Sequence, residues 1–294
     1  MAELDLRLTP ALDPSAVREV RALAIAAEHK DQVEPLGEDT LLALDSPDRR
    51  HLVARTGAGL VGYGQLDPSQ HGAELTVHPD HRGRGVGRAL LERLLEQLQP
   101  LRVWAHGTLP AAAALAAALD LTVSRRLLRM ATTGSGSLSQ PQLPAGLRLR
   151  AFLPGADEDE VLAVNARAFT ELPDQGGWTR ADLDRRTAES WFDPAGFLLA
   201  VDEANRIVGF HWTKTHRESS PAAGEVYVVG VDPSQQGRGL GRALTLAGMH
   251  HLQQRGLRRI LLYVDDANRS AVALYRSLGF ETERTDTEYR HDVR

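Results

Sequence analysis

The feature that most constrains this chain is an internal repeat. The segment VHPDHRGRGVGRAL, which starts at Val77, recurs as VDPSQQGRGLGRAL from Val231, 154 residues later, with nine of fourteen positions identical. A second pair of related segments begins at Ala111 and Ser270, with an offset of 159. Two pairs in the same order within 294 residues indicate a tandem duplication. We therefore predict two domains of the same fold.

A polar segment separates the two copies. Residues 131–146, ATTGSGSLSQPQLPAG, are rich in Gly, Ser and Pro, a composition typical of a linker. We predict a first domain over residues 1–138, a linker over 139–147 and a second domain over 148–294.

Both halves show the same order of predicted elements. Each opens with an amphipathic helix, for which Ser15 and Asp157 are the predicted N-caps. Strands follow, then a glycine-rich turn, a helix, a strand and the second repeated helix. This order predicts an α/β fold with layered sheet and helices in each domain.

Composition excludes several classes of partner. A net charge of −5 and a pI near 6.1 argue against nucleic acid, which requires a basic face. The absence of cysteine excludes disulfides, thiolate-held metals and a cysteine nucleophile, and the histidines lack metal-ligand spacing, so we expect no metal. The N-terminus lacks the apolar segment of a signal peptide. We expect a cytoplasmic monomer that associates with no membrane.

The glycine motif has the chemistry of an anion site. RGRGVG from Arg82 and QGRGLG from Gln236 each follow a β-rich run and precede a helix with apolar periodicity. Glycines let backbone N–H groups approach an anion closely, and a helix N-terminus adds partial positive charge. The spacing matches neither a Walker loop nor a dinucleotide fingerprint. Because the pattern occurs twice in one context, we interpret it as a pyrophosphate cradle and not as a plain turn.

These motifs resemble a known family. The [Arg/Gln]-x-x-Gly-x-Gly turn after Val-x-Pro, with the later segment NRSAVALYRSLGF from Asn268, is similar to the GCN5-related N-acetyltransferases, abbreviated GNAT. The segments RVWAHGTL, QGGW, WFDP, FHWTK, EVYVVGVDP and LYVDDAN extend the resemblance over nearly the whole chain, to tandem members that acetylate a small thiol precursor. The resemblance implies two tandem GNAT domains, each a mixed, mostly antiparallel sheet flanked by helices.

The resemblance also implies a cosubstrate and an acceptor. The cosubstrate is acetyl-CoA, and the acceptor is the cysteinyl amine of a cysteine–glucosamine–inositol compound. In the first half, the matching positions for acetyl-CoA are Leu75, Thr76, Val77, Arg82, Gly83, Arg84, Gly85, Val86 and Gly87. In the second half, they are Val229, Gly230, Val231, Gln236, Gly237, Arg238, Gly239, Leu240, Gly241, Arg242, Asn268, Arg269, Ser270, Ala271, Val272 and Ala273.

Comparison of the two copies indicates which half does the chemistry. Acetyl transfer to an amine needs a base for the amine proton and an acid for the departing thiolate. Glu225 precedes the second glycine turn, and the 154-residue offset pairs it with His71; the 159-residue offset pairs Tyr275 with Ala116. Glu74 falls at the position of Val228, and strand alternation points it away from the His71 side. We therefore predict that Glu225 and Tyr275 are the base and acid, and that the first half binds acetyl-CoA without turnover.

Acceptor contacts rest on the resemblance. The matching positions are Glu38, Asp174, Lys214, Glu225 and Tyr263. Asp174 stands where the family more often has glutamate, so its side chain is one methylene shorter. A role for Glu38 would place the acceptor between the two domains.

Other interpretations stay open. A tandem acetyltransferase could act on another small-molecule or protein amine, and a sensor could bind acetyl-CoA in both halves without turnover. Tyr275 could be a core aromatic beside Phe280, and Trp178, Trp191 and Trp212 could be core residues or substrate platforms.

Overall fold

The chain folds into two compact units that exchange short segments. The computed structural model describes residues 4–57, 59–133, 138–216 and 222–292. The first unit holds Met1–Leu127, Asp265–Ala267 and Arg284–Arg294, and the second holds Leu128–Val264 and Asn268–Glu283. The functional boundaries at 138/139 and 147/148 remain a prediction.

The first unit contains the elements of the N-terminal half. Its strands are β1 (Asp5–Thr9), β2 (Arg50–Thr56), β3 (Gly59–Asp67), β4 (Gly72–Val77), β5 (Leu101–Ala105) and the start of β6 (Thr122–Thr132). Its helices are α1 (Pro14–Asp31), α2 (Glu38–Leu42), α3 (Val86–Leu95) and α4 (Pro110–Ala118).

The second unit repeats this order. Its strands are β7 (Arg148–Ala151), β8 (Phe197–Val201), β9 (Ile207–His216), β10 (Ala223–Val231), β11 (Arg259–Asp265) and the start of β12 (Glu281–His291). Its helices are α5 (Glu158–Ala168), α6 (Pro173–Gly176), α7 (Arg180–Thr187), α8 (Leu240–Gln254) and α9 (Arg269–Ser277). The bounds of α4 and α9 differ by 159 residues, as the sequence repeat predicts.

Each unit is built on a mixed, mostly antiparallel sheet. In the first unit, β1 to β4 pair antiparallel in sequence order, β4 pairs parallel with β5, and the last strand of the chain lies against the other edge of β5. In the second unit, β7 to β10 pair antiparallel and β10 pairs parallel with β11. The end of β6, from Leu128, lies beside β11. The predicted α/β class is confirmed.

Helices cover both faces of each sheet with apolar side chains. In the second unit, α8 packs through residues such as Leu244 and Leu252 on one face, while the other face carries a cluster around Phe197, Phe210 and Trp212. Trp212 has no exposed surface, so this tryptophan is a core residue. None of the helices in the described residues is long and apolar enough to cross a lipid bilayer.

The predicted helix caps were partly wrong. The N-cap of α1 is Asp13, whose carboxylate accepts hydrogen bonds from the N–H groups of Ser15 and Ala16. Asp157 lies at the N-cap position of α5, but its carboxylate binds the Arg150 guanidinium and the N–H of Leu153 instead of the helix. In α1, the carboxylate of Asp13 takes the capping role predicted for Ser15. In α5, Arg150 binds the carboxylate of Asp157, which therefore does not cap the helix.

Candidate active site

The parallel strands of each unit separate before they end. In the second unit, β10 pairs with β11 only from Ala223 to Val226, although both strands continue in the described chain to Val231 and Asp265. In the first unit, β4 pairs with β5 only at Gly72 and Ala73. The rest of β4 and β10 keeps its antiparallel partner on one side and opens a cleft on the other. The cleft exposes strand backbone to which an extended ligand can hydrogen-bond.

A β-bulge marks the cleft of the second unit. The β9–β10 register shifts between Val226 and Val228, so Tyr227 has no partner residue on β9. A bulge bends its strand and increases the local twist. The corresponding pair, β3–β4, shows no register shift.

The glycine turns lie directly beyond the two clefts and have nearly the same geometry. Gly83 and Gly85 have φ of 71° and 84°, and Gly237 and Gly239 have φ of 73° and 84°. A Cβ at any of the four would meet open space, and the side chain would be strained by the positive φ. Gly85 and Gly239 are the N-caps of α3 and α8, which have no side-chain cap. Both turns therefore present free helix N–H groups in an open backbone concavity suited to a pyrophosphate.

The first residue of each motif holds the turn against its strand. The Arg82 Nε donates to the Val77 carbonyl at 3.1 Å, and the Gln236 Nε2 donates to the Val231 carbonyl at 3.3 Å. The Arg82 guanidinium also forms a bidentate ion pair with Asp31, both bonds 2.7 Å. These two side chains are thus engaged in shaping the cradle, and their predicted contribution to acetyl-CoA binding stays a prediction.

The remaining predicted acetyl-CoA positions lie on three parts of the fold, and their role in binding stays a prediction. Those in β4 and β10 lie in the separated strand segments: Leu75, Thr76, Val77, Val229, Gly230 and Val231. Those that follow lie in the turns or first helical turns: Arg84, Val86, Gly87, Arg238, Leu240, Gly241 and Arg242. Asn268 caps α9 by accepting from the Ala271 N–H at 3.1 Å, and Arg269 to Ala273 form the first turns of that helix.

Tyr275 lies in the core beside the cleft. It is 9% exposed, belongs to the same apolar cluster as Val226 and Val264, and meets the Phe280 ring edge to face at 5.9 Å. None of the described residues hydrogen-bonds its hydroxyl. Burial raises the pKa of Tyr275 to about 12, so the phenol keeps its proton at neutral pH. The side chain is a core aromatic and also retains a proton to donate.

Glu225 lies at the mouth of the second cleft, on the other side of β10 from Val226. Its residue is 5% exposed, and its register partners are Lys214 on β9 and Leu261 on β11. Strand alternation places Tyr263 on the same face as Leu261, and both pack with Ala223. Three of the predicted acceptor residues therefore share one face of the sheet.

Two interactions on this face were not predicted. The His216 Nε2 lies 2.6 Å from Oε2 of Glu225. The Lys214 ammonium lies 4.9 Å from the centre of the Trp191 ring and 5.3 Å from that of Tyr227, within cation–π range. Alternation along β9 puts Lys214 and His216 on one face, but the hairpin register needed to pair His216 with Glu225 is not contained in the local pattern.

Two predicted acceptor residues lie on other elements. Glu38 is the first residue of α2, in the first unit. Asp174 belongs to α6, and its side chain lies outside the described residues. The roles of both stay predictions.

The predicted equivalence of Glu225 and His71 was wrong. The last parallel pairs before the clefts are Ala73 with Val103 and Val226 with Leu262, which makes Gly72 the counterpart of Glu225. The bulge at Tyr227 inserts one residue, so an offset taken from the glycine turn is one too large before the bulge. His71 lies in the preceding turn with φ of 50°. The first unit still has no base at this position.

Glu74 was also interpreted wrongly. Relative to Gly72, its true reference, Glu74 points to the same face as Glu225 does in the second unit. There its carboxylate accepts from the Gly37 N–H at 2.7 Å and lies 3.1 Å from His106 Nε2. The other ring nitrogen of His106 lies 3.3 Å from Asp286, which is 1% exposed. The carboxylate at the first cleft is therefore held in an internal ion cluster.

His106 and Arg284 carry the positive charge of that cluster, since the Arg284 Nε donates to Asp286 at 3.0 Å. Burial favours the neutral ring, but the carboxylates of Glu74 and Asp286 outweigh it and raise the pKa of His106 to about 10. The same contacts with His106 lower the pKa of Asp286 against the effect of burial. In the first unit, the imidazolium therefore lies on the face of the sheet that corresponds to the face carrying Glu225 in the second unit.

Comparisons with known proteins agree with this geometry. The family model described as "Acetyltransferase (GNAT) family" matches residues 162–280, and "Acetyltransferase (GNAT) domain" matches residues 47–119. A GCN5-related N-acetyltransferase from Sphaerobacter thermophilus superposes with a TM-score of 0.71 at 25% identity, covering 99% of this chain and 96% of that one. A tandem GNAT protein from the clavulanic acid biosynthesis pathway gives 0.73 at 23% identity over 98% of both chains, which shows the shared fold.

Fold, clefts and family models together define a tandem GNAT N-acetyltransferase. The chain is 52% identical to a mycothiol acetyltransferase of Thermobispora bispora over 98% of both proteins. It is 50% identical to one from Salinispora tropica, over 96% of this chain and 95% of the relative. It belongs to the mycothiol acetyltransferase family.

The charge on His106 predicts a pH dependence of stability. Because the folded-state pKa lies above the reference value of 6.5, the ion cluster stabilises the fold fully below pH 6.5, and this stabilisation is lost as the pH rises through about 10. We expect the free energy of unfolding to fall by on the order of 2–5 kcal/mol more in the wild type than in His106→Gln between pH 6.5 and 10. Urea denaturation at pH 6.5 and at pH 10 measures the free energy of unfolding of each protein. An equal decrease in the two proteins would contradict the assignment.

Proposed function

We propose that this chain transfers the acetyl group of acetyl-CoA to the cysteinyl amine of desacetylmycothiol, the last step of mycothiol biosynthesis. The observation that carries the proposal is the identity of about half of all residues to mycothiol acetyltransferases over nearly the whole chain. The site is compatible with it, because Glu225, Lys214 and Tyr263 form a polar face at the mouth of the second cleft. A hydroxyl-rich, cationic acceptor suits such a face.

In this proposal, acetyl-CoA binds in extended form along the cleft. Its pyrophosphate meets the N–H groups of the Gly237–Gly239 turn, and the thioester carbonyl accepts from strand N–H groups near Val229 to Val231. Positioning of the thioester against the amine contributes most of the rate enhancement.

Glu225 acts as the base. An α-amine has a reference pKa of about 7.7–8.0, so at neutral pH most of the acceptor is an ammonium that must lose a proton. The buried carboxylate attracts this ammonium and takes one of its protons, which frees the nitrogen lone pair to attack the thioester carbonyl and form the N–C bond. The adduct then loses the thiolate and the second nitrogen proton, which completes the transfer.

Tyr275 assists the leaving group. A thiol has a reference pKa of about 8.5, below the value of about 12 for Tyr275, so complete transfer of the phenolic proton to the thiolate is uphill. The hydroxyl therefore acts first as a hydrogen-bond donor that stabilises charge on the sulfur as the C–S bond breaks. When the phenolic proton of Tyr275 finally moves to the thiolate, the phenol regains a proton from solvent.

The direct test is a comparison of acceptors. Purified enzyme is incubated with acetyl-CoA and desacetylmycothiol, an aminoglycoside, glucosamine or a peptide with a free N-terminus. N-acetylated product is measured by mass spectrometry, because the acceptor thiol itself reacts with thiol reagents. Preference for another amine would favour the alternative tandem acetyltransferase, and binding of acetyl-CoA without product from any amine would favour a sensor.

The two glycine turns predict two acetyl-CoA sites of unequal importance. Calorimetry on protein stripped of bound ligand should give two sites per chain. Gly85→Val and Gly239→Val should each remove one site, because a side chain enters the concavity and positive φ strains the turn. Only Gly239→Val should lower kcat by about 10-fold or more. Equal losses of kcat in both variants would contradict the division of roles.

Replacement of the base should slow catalysis. We expect Glu225→Gln to lower kcat by roughly 10²-fold, within the range for removal of a general base, and to weaken acceptor binding. The matched control is Glu74→Gln, which changes a carboxylate on the same face of the first cleft and should leave kcat unchanged. Wild-type rates for Glu225→Gln near pH 7 would refute the base assignment.

Removal of the phenol should have a smaller effect. Tyr275→Phe keeps the ring and its packing on Phe280, so the free energy of unfolding should stay the same. We expect kcat to fall about 10- to 100-fold, and the loss to shrink for thioesters of more acidic thiols. An unchanged kcat would leave Tyr275 as a core aromatic only.

A further inference from the structure

His216 contacts the proposed base and has no assigned role. It is the last residue of β9, pairs in register with Ala223, and lies diagonally across the strand pair from Glu225. Diagonal neighbours on one sheet face are within reach of long side chains. The Nε2–Oε2 distance of 2.6 Å is short even for a charge-assisted hydrogen bond.

The direction of this hydrogen bond follows from the chemistry. A base must start as an ionised carboxylate, which has only acceptor sites, so Nε2 of His216 carries the proton. The Glu225 side chain is 7% exposed and that of His216 is 31% exposed. A buried carboxylate is costly without a donor, and the imidazole supplies one from the more exposed side.

One oxygen of Glu225 is therefore fixed and the other is directed. A carboxylate without a partner rotates and presents its two oxygens in turn, whereas a donor at Oε2 selects one rotamer. Oε1 is then the oxygen available for the acceptor amine. Imidazole donors that orient a reacting group recur in enzymes, where loss of the orienting contact lowers the rate without loss of the reacting group.

We propose that His216 is a positioning residue for acetyl transfer: it donates a hydrogen bond to Oε2 of Glu225 and leaves Oε1 to receive the amine proton. This inference rests on the proposed role of Glu225 as the base. Lys214, the register partner of Glu225 on the same face, holds its ammonium over the rings of Trp191 and Tyr227.

The kinetic test uses two single variants of His216 and a double-mutant cycle with Glu225→Gln. His216→Ala should lower kcat about 10-fold while the KM for acetyl-CoA changes less than about 2-fold. His216→Gln, whose Nε2 reaches a similar distance, should recover kcat to within about 3-fold of the wild type. In a Glu225→Gln background, His216→Ala should lower kcat by less than about 2-fold further, because a residue that acts through Glu225 has nothing left to position.

A merely structural role gives a different pattern. It would lower kcat by the same factor in both backgrounds and would lower the free energy of unfolding, measured by urea denaturation. Any of three results would overturn the proposal. They are an equal factor of loss in kcat in both backgrounds, a failure of His216→Gln to recover kcat, and a wild-type kcat in His216→Ala.

A spectroscopic readout separates this proposal from the choice of substrate. In protein labelled with ¹⁵N-histidine, the short Nε2–H···O bond should give a strongly downfield proton signal that disappears in His216→Gln and shifts upfield in Glu225→Gln. The signal does not depend on any acceptor. If it is present while desacetylmycothiol is not acetylated, the proposed function fails and the His216–Glu225 pair stands; if it is absent, the positioning role fails whatever the substrate.

Discussion

The separation of two parallel strands is the constraint on which the site depends. Two hydrogen-bonded strands leave no room for a ligand between them, and once β10 leaves β11 after Val226 its backbone needs another partner. The same separation puts the glycine turn at the end of the cleft and directs the α8 N-terminus at it. The exposed strand backbone and the placement of the anion cradle are therefore consequences of one interruption of pairing, and Glu225 lies just before it.

The duplication preserved this interruption in both units but changed the groups around it. The second unit has a bulge at Tyr227 and a carboxylate held by His216, with solvent within reach of the imidazole. The first unit has glycine at the corresponding position, and its own carboxylate, Glu74, is bound by the Gly37 N–H and the His106 imidazolium. The backbone cradle depends on glycines and helix ends, whereas the acid–base groups depend on single side chains, so the two parts of the site could diverge separately.

Local sequence patterns predicted most of the fold and part of the site. The repeat and its glycine spacing predicted the two α/β units, both turns and the helix that carries Tyr275, because each is determined by residues close in sequence. The match of Glu225 to His71 failed because a bulge adds a residue without any local signature. The Glu74–His106–Asp286 cluster was not predictable, since it needs a strand from the far end of the chain. Errors arose where register or long-range pairing decides the contact.

The placement of the last strand has a consequence for how the protein is made and how its gene can change. Residues from Arg284 onward belong to the first unit, where Thr287 pairs with Ala105 of β5. Synthesis proceeds from the N-terminus, so the edge of β5 stays open until residues 284–291 have been made, and only then can Asp286 reach His106. The second unit in turn takes residues from Leu128 onward, upstream of the linker. Each copy contains a strand that the other copy encodes, and a split of the gene at the linker would leave both products incomplete.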